Sequence, residues 1–129
     1  MRALQILAPR QTAFIELDPP RPGYGEVLVC VRRVGFCGSD LSTYLGKNPL
    51  VSYPRIPGHE VAATVMEPGP GTPPEFTPGA NVVIVPYTAC QRCGACRRGR
   101  PNACRFNETL GVQRDGAMRR YLVVPWEKL

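Results

Sequence analysis

The feature that most constrains this sequence is a set of four cysteines with the spacing C-x2-C-x2-C-x7-C. They are Cys90, Cys93, Cys96 and Cys104. Four thiolates surround a zinc ion tetrahedrally only if the backbone turns tightly between them, as two-residue spacers allow. Gly94 and Gly99 supply the flexible backbone that such turns need. Because four sulfurs leave no open position for water or substrate, the spacing predicts a structural zinc site in a lobe of residues 88–106.

Two alternatives to zinc are open for these cysteines. A bacterial iron–sulfur pattern has a shorter final gap followed by proline, C-x2-C-x2-C-x3-C-P. Two disulfides would require an oxidising compartment. The segment from Met1 to Pro9 is too short and too polar downstream for a signal peptide, and no apolar run approaches the ~20 residues of a membrane span. We therefore expect a cytoplasmic protein, in which clustered thiols bind metal.

Composition favours one mainly β domain. A chain of 129 residues is long enough to bury a core without covalent help. Its 15 prolines and 13 glycines indicate many turns and short strands, arranged as a barrel or a pair of packed sheets. The predicted strands are Met1–Leu7, Thr12–Asp18, Glu26–Val34, Val61–Glu67, Asn81–Tyr87 and Tyr121–Val124. Cys30, in the middle of the third strand, is predicted to be a buried hydrophobic residue rather than a ligand.

The basic charge points to a solvated surface. The formal net charge is +6, but no helix or aromatic stripe collects the basic residues, so we expect neither a nucleic-acid nor a membrane partner. Five arginines crowd the cysteine lobe, namely Arg92, Arg97, Arg98, Arg100 and Arg105. Four thiolates on zinc carry a net charge of about −2, which guanidinium groups would balance. An acidic partner for these arginines is the alternative.

A second pair of metal-ligand residues precedes the lobe. Cys37 and the only histidine, His59, both lie at predicted junctions between strands and turns, where side chains can converge on a cleft. Ser39 or Asp40 is predicted to cap a short helix after Cys37. Gly46 is predicted to end that helix.

Three motifs in this order resemble the zinc-dependent medium-chain dehydrogenases, the alcohol dehydrogenase-like family. They are Gly35-Phe36-Cys37-Gly38-Ser39-Asp40, Pro57-Gly58-His59-Glu60 and the four-cysteine lobe. The resemblance covers essentially the whole chain, including Asp115-Gly116 and Val123-Val124-Pro125. It implies that residues 1–129 form a GroES-like β-barrel with short helices, to which the family adds a nucleotide-binding Rossmann domain.

The resemblance also implies roles for individual residues. Cys37 and His59 would bind the catalytic zinc, and Glu60 would be a direct ligand, as in polyol dehydrogenases, or a carboxylate behind the ligands. Ser39 would pass the alcohol proton toward solvent, and Asp40 would hold the second ring nitrogen of His59. The implied chemistry is polarisation of an alcohol by zinc and hydride transfer to NAD or NADP.

The chain departs from the family pattern in two ways. No further zinc ligand appears between Trp126 and Leu129, and there is no G-x-G-x-x-G, since the prolines of Pro68-Gly69-Pro70-Gly71 prevent the required helix. We therefore expect a fragment, inactive alone, of a homo-oligomeric enzyme. Gly38 after Cys37 and Glu60 after His59 resemble the members that act on polyols, sugar acids or threonine.

Two rival interpretations stay open. One is a stand-alone zinc-stabilised β-barrel that binds a protein or nucleic acid, which the missing nucleotide domain and the basic charge favour. It would hold one zinc, whereas the dehydrogenase interpretation allows two. The other is a zinc-free member resembling quinone reductases, against which the complete cysteine set, Cys37 and His59 argue.

Overall fold

The computed structural model describes residues 1–129, and most of its regular structure is β. The strands are β1 (Arg2–Ala8), β2 (Gln11–Glu16), β3 (Glu26–Gly35), β4 (Glu60–Pro68), β5 (Asn81–Ile84), β6 (Tyr87–Thr88), β7 (Glu108–Thr109) and β8 (Tyr121–Pro125). The helices are α1 (Gly38–Tyr44) and α2 (Gly94–Arg97), with 3₁₀ turns at Pro101–Ala103 and Trp126–Lys128. The predicted mainly β class is confirmed. No helix combines the length and apolarity that crossing a bilayer would need.

The strands form three antiparallel sheets. The central sheet has the order β5-β4-β3-β8, while β1 pairs with β2 and β6 pairs with β7. Isolated bridges from Ala3 to Arg119 and from Ile6 to Arg55 attach the β1–β2 hairpin to the rest of the chain. The backbone hydrogen bonds therefore do not close into one continuous ring of strands.

The hydrophobic core lies against the central sheet and excludes the cysteine lobe. Ten buried residues form it, namely Val27, Val29, Val61, Ala63, Val65, Ile84, Leu110, Ala117, Leu122 and Val124. Alternate residues of β3, β4 and β8 face this core, as the two-residue period of a strand requires. Cys30 is only 5% exposed, which confirms that it is a buried residue. Because no residue of the lobe belongs to the cluster, core packing does little to hold the lobe together.

Helix α1 begins one residue after Cys37, which differs from the prediction. Cys37, rather than Ser39 or Asp40, occupies the cap position. Asp40 lies at the third helical position, where its carboxylate accepts a hydrogen bond from the Cys37 backbone N–H. A reversed capping contact of this kind satisfies an N–H that the helix leaves free. Gly46 ends the helix as predicted, with a φ of 75° that favours glycine.

Candidate metal centres

The chain brings three predicted ligand residues together at one end of the central sheet. The Cys37 sulfur, a ring nitrogen of His59 and a carboxylate oxygen of Glu60 all lie within 4.8 Å of one another. Gly35, at the end of β3, pairs directly with Glu60, at the start of β4. Cys37 therefore follows one strand end while His59 precedes the neighbouring strand, and strand pairing brings both to the same end of the sheet.

Glycines let the backbone segments of this centre approach closely. A Cβ atom at Gly35 would collide with the Glu60 carboxylate, and one at Gly116 would collide with the Pro57 and Gly58 carbonyl oxygens. The His59 loop is also tied by three backbone hydrogen bonds from residues 116–118 to residues 56–58, of 2.7 to 3.0 Å. His59 thus stands on a loop whose path is fixed from both sides.

Asp40 joins the two ligand-bearing segments from inside the protein. It is 2% exposed. One carboxylate oxygen accepts a 3.0 Å hydrogen bond from the Cys37 N–H and the other accepts one of 3.0 Å from the Gly58 N–H. The predicted contact with the His59 ring has a length of 3.7 Å to Nδ1, and this buried nitrogen has no hydrogen-bond partner. The two backbone contacts are the hydrogen bonds that Asp40 makes here.

Ser39 and His59 face an open cleft of about 540 Å³, which Cys37 also lines. The Ser39 hydroxyl oxygen lies 3.4 Å from His59 Nε2. A thiolate, an imidazole and a carboxylate are the donors that zinc takes in proteins, and an open side suits a centre that must admit a further ligand. The donor set and its setting therefore fit zinc. Lys47 and Tyr87 line the cleft as well, and neither was predicted from the sequence as a site residue.

The four lobe cysteines form a second cluster, with all four sulfurs within 4.8 Å of one another. The Cys93 sulfur lies 3.5 Å from that of Cys96 and 3.9 Å from that of Cys104. Sulfurs at the corners of a zinc tetrahedron with bonds of about 2.3 Å stand about 3.8 Å apart. The backbone N–H groups of Cys90 and Phe106 each lie 3.3 Å from the Cys104 sulfur. The geometry fits a four-sulfur metal shell.

Backbone hydrogen bonds lower the pKa values of the lobe thiols, whereas burial raises them. The Cys96 and Arg105 backbone groups lower the pKa of Cys93 to about 6. Burial and the neighbouring thiol of Cys93 raise the pKa of Cys96 to about 12. The lobe thus readily holds some thiolates but resists full deprotonation unless a cation enters.

The lobe arginines carry no ion pairs. All five are exposed, and the chain's ion pairs between cations and carboxylates lie elsewhere, at Met1–Glu16 and Arg55–Asp115. Their predicted role, balancing the charge of a zinc–thiolate cluster, therefore stays a prediction.

The chain matches a known protein family over most of its length. The model of the alcohol dehydrogenase GroES-like domain matches residues 23–129, and the chain belongs to this family. L-galactonate-5-dehydrogenase of Escherichia coli K12 is 36% identical over 125 residues, covering 97% of the chain and 36% of the relative. L-threonine 3-dehydrogenase of Pyrococcus horikoshii is 38% identical over 119 residues, covering 90% and 34%. The chain thus spans about a third of the length of the curated relatives that it matches.

Solved structures give the same result. RspB of Escherichia coli CFT073, solved with NADH, superposes with a TM-score of 0.89 at 38% identity, covering 99% of this chain and 37% of that one. Galactitol-1-phosphate dehydrogenase of Escherichia coli has a TM-score of 0.90 at 29% identity, with 99% and 37% coverage. The cobalt- and zinc-bound alcohol dehydrogenase of Pyrobaculum aerophilum has a TM-score of 0.84 at 32%, with 99% and 40% coverage. The predicted family resemblance is confirmed.

Proposed function

We propose that this chain is the catalytic, zinc-binding domain of a dehydrogenase that oxidises a secondary alcohol by hydride transfer to NAD or NADP. The observation that carries the proposal is the convergence of Cys37, His59 and Glu60 beside an open cleft. The relatives support it, since they are named for L-galactonate and L-threonine, and RspB was solved with NADH. A polyol, a sugar acid or threonine is the proposed class of substrate.

Two zinc ions are proposed, with different tasks. Cys37, His59 and Glu60 would hold the catalytic ion, which when bound supplies Lewis-acid polarisation of the alcohol oxygen. The four lobe cysteines would hold the structural ion, because a complete sulfur shell leaves no place for substrate.

Two side chains near the proposed zinc site, Ser39 and Asp40, have different tasks. The Ser39 hydroxyl lies in the cleft beside His59, where its oxygen accepts the proton of the substrate hydroxyl and returns one to cleft water. Asp40 keeps the segments that carry Cys37 and His59 at a fixed separation. In this scheme Ser39 moves the proton and Asp40 positions the ligands.

We also propose that residues 1–129 act as one unit of a cytoplasmic homo-oligomer that needs a separate nucleotide-binding domain. All six cysteines are free, which suits a reducing compartment. We expect no turnover of any alcohol by this chain alone, because hydride transfer requires a nicotinamide held against the reacting carbon and the chain contains no glycine-rich nucleotide turn. Assays with NAD and with NADP check this, and turnover that disappears in Cys37→Ala would contradict it.

Metal stoichiometry tests the catalytic centre. Purified under reducing conditions and saturated with cobalt, the chain is expected to bind two ions, and Cys37→Ser is expected to bind one. The lost ion is expected to take with it the absorption of a mixed sulfur–nitrogen–oxygen site, while the four-sulfur spectrum of the lobe persists. Mass spectrometry and visible absorption make the measurement.

The matched control is Cys30→Ala, which removes a thiol that touches neither cluster and is expected to keep both ions. A parent chain that binds one ion only, through the lobe, would support a stand-alone binding module in place of the dehydrogenase domain. That rival draws on the exposed lobe arginines and on the net charge of +6.

A further inference from the structure

A single positive side chain lines the cleft beside the proposed zinc site. Lys47 lines it together with Cys37 and His59, and no aspartate or glutamate does. Lys47 is exposed, and it makes no salt bridge with any carboxylate of the chain. Its ammonium group is therefore free to meet a negative charge that arrives from solution.

The end of α1 fixes where Lys47 stands. The Gly46 N–H donates to the Thr43 carbonyl and the Lys47 N–H donates to the Ser42 carbonyl, which together close the helix in a Schellman motif. Gly46 has a φ of 75°, and a Cβ atom there would also lie 2.9 Å from the Pro9 ring. The backbone of Lys47 is thus set by an ordered turn, although its side chain reaches into solvent.

The formal charges of the cleft favour an anionic substrate. As zinc ligands, a Cys37 thiolate and the Glu60 carboxylate would neutralise a divalent cation, and Lys47 would then add one positive charge. An uncharged alcohol gains nothing from that charge, whereas a monoanion does. Low-dielectric walls around a cleft strengthen such an attraction.

We propose that Lys47 binds the carboxylate of the substrate, and that the substrate is a polyhydroxy carboxylic acid. This inference rests on the proposed function. Helix α1 has seven residues, or about 10 Å of rise, between Cys37 and the turn that carries Lys47. The carboxylate therefore lies several carbons from the reacting alcohol. Ser42 and Tyr87 also line the cleft and offer hydroxyl groups for the intervening carbons.

A carboxylate fits this arrangement better than a phosphate does. Phosphoryl groups in proteins are usually held by several donors together, drawn from arginine forks, lysines, backbone N–H groups and long helix N-termini. No arginine lines the cleft. One ammonium group matches the single charge of a carboxylate.

Nuclear magnetic resonance of the zinc-loaded chain tests the inference directly, because the chain has only two lysines, Lys47 and Lys128. With lysine labelled at its ε-carbon, two signals are expected, and Lys47→Met and Lys128→Met assign them. A six-carbon aldonate is expected to shift the Lys47 signal and to leave that of Lys128 in place. The corresponding alditol is expected to shift neither.

Calorimetry on the same samples gives the affinity. Lys47→Met is expected to weaken aldonate binding about 5-fold, the upper range for a solvent-exposed ion pair, without changing alditol binding. Lys128→Met is the matched control and is expected to bind aldonate as the parent chain does. An equal response to aldonate and alditol, or unchanged aldonate affinity in Lys47→Met, would overturn the inference. Tighter Lys47-dependent binding of a sugar phosphate would overturn the choice of carboxylate.

The cobalt spectrum of the same chain separates this result from a failure of the proposed function. If no ion binds through Cys37, the dehydrogenase proposal fails and this inference fails with it. If the ion binds and the aldonate does not shift the Lys47 signal, only the role assigned to Lys47 is wrong.

Discussion

Removing the metal from the cysteine lobe is expected to expose the lobe to trypsin while the core stays folded. Helix α2 and the 3₁₀ turn Pro101–Ala103 contain no buried residue, so the lobe has no apolar core of its own. Structural zinc in small domains contributes an apparent ~10–16 kcal/mol at neutral pH. Losing even about 3 kcal/mol of that would raise the open population, and with it cleavage, about 100-fold.

The arginines of the lobe make this measurement direct. Trypsin cleaves after arginine, and Arg97, Arg98 and Arg105 are exposed within the segment that the metal would hold. Cleavage there is expected to accelerate in chelator and in Cys93→Ser, and the fragments identify the sites by mass. Cys30→Ala, treated in the same way, is expected to resist cleavage until chelator is added.

Metal removal is not expected to unfold the hydrophobic core, which is separate from the lobe. Because the ten core residues lie outside residues 88–106, cooperative unfolding of the sheet by urea is expected to survive chelation. Lobe cleavage that proceeds equally fast with and without zinc would remove the structural assignment. Zinc affinity is expected to fall as pH is lowered, because the metal must displace protons from thiols such as Cys96, whose pKa burial raises to about 12.

Sequence patterns predicted the long strands well, because buried apolar residues at alternate positions determine where these strands lie. Strand β3 was predicted at Glu26–Val34 and is observed at Glu26–Gly35, and β4 was predicted at Val61–Glu67 and is observed at Glu60–Pro68. Both are dense in branched and apolar residues that the core needs on alternate positions. The predicted strand Asn81–Tyr87 is instead divided after Ile84, since Pro86 has no N–H to donate to a ladder.

The start of α1 shows what composition does not decide. Ser39 and Asp40 are both good caps, so sequence preference pointed to them. In the structure the helix begins earlier, and Asp40 at its third position accepts hydrogen bonds from two backbone N–H groups, those of Cys37 and Gly58. The Gly58 N–H belongs to the His59 loop and lies 18 residues away along the chain, so a local sequence pattern does not predict this contact.

The metal-ligand residues could be predicted from the sequence, but the other residues of the cleft could not. Spacing pointed to the four lobe cysteines, and a resemblance to a family pointed to Cys37, His59 and Glu60, which the fold brings together. Lys47 was not predicted as a site residue, although Gly46 marks the end of the helix that precedes it. No sequence pattern predicts the role of a solvent-exposed lysine, because that role depends on which residues the fold places beside it.

Replacing Asp40 is expected to cause the largest loss of stability of any single polar substitution in this chain. Its carboxylate satisfies two backbone N–H groups, one at Cys37 and one at Gly58, and it is 2% exposed. Each buried donor left without a partner costs about 1–3 kcal/mol. Asp40→Leu leaves both without one, so the free energy of unfolding in urea is expected to fall by about 2–6 kcal/mol.

Two further variants make the Asp40 prediction specific. Asp40→Asn keeps one acceptor oxygen and turns an NH₂ group toward the other N–H, so about half of the loss is expected. Asp18→Asn, an exposed carboxylate that makes no ion pair, is expected to change stability by less than about 0.5 kcal/mol. Cobalt binding at the cleft is expected to weaken in the same order as stability, because the two loops that carry the ligands are joined through Asp40. If Asp40→Leu unfolds at the same urea concentration as the parent chain, the two hydrogen bonds do not hold these loops together, and the ligands converge through strand pairing alone.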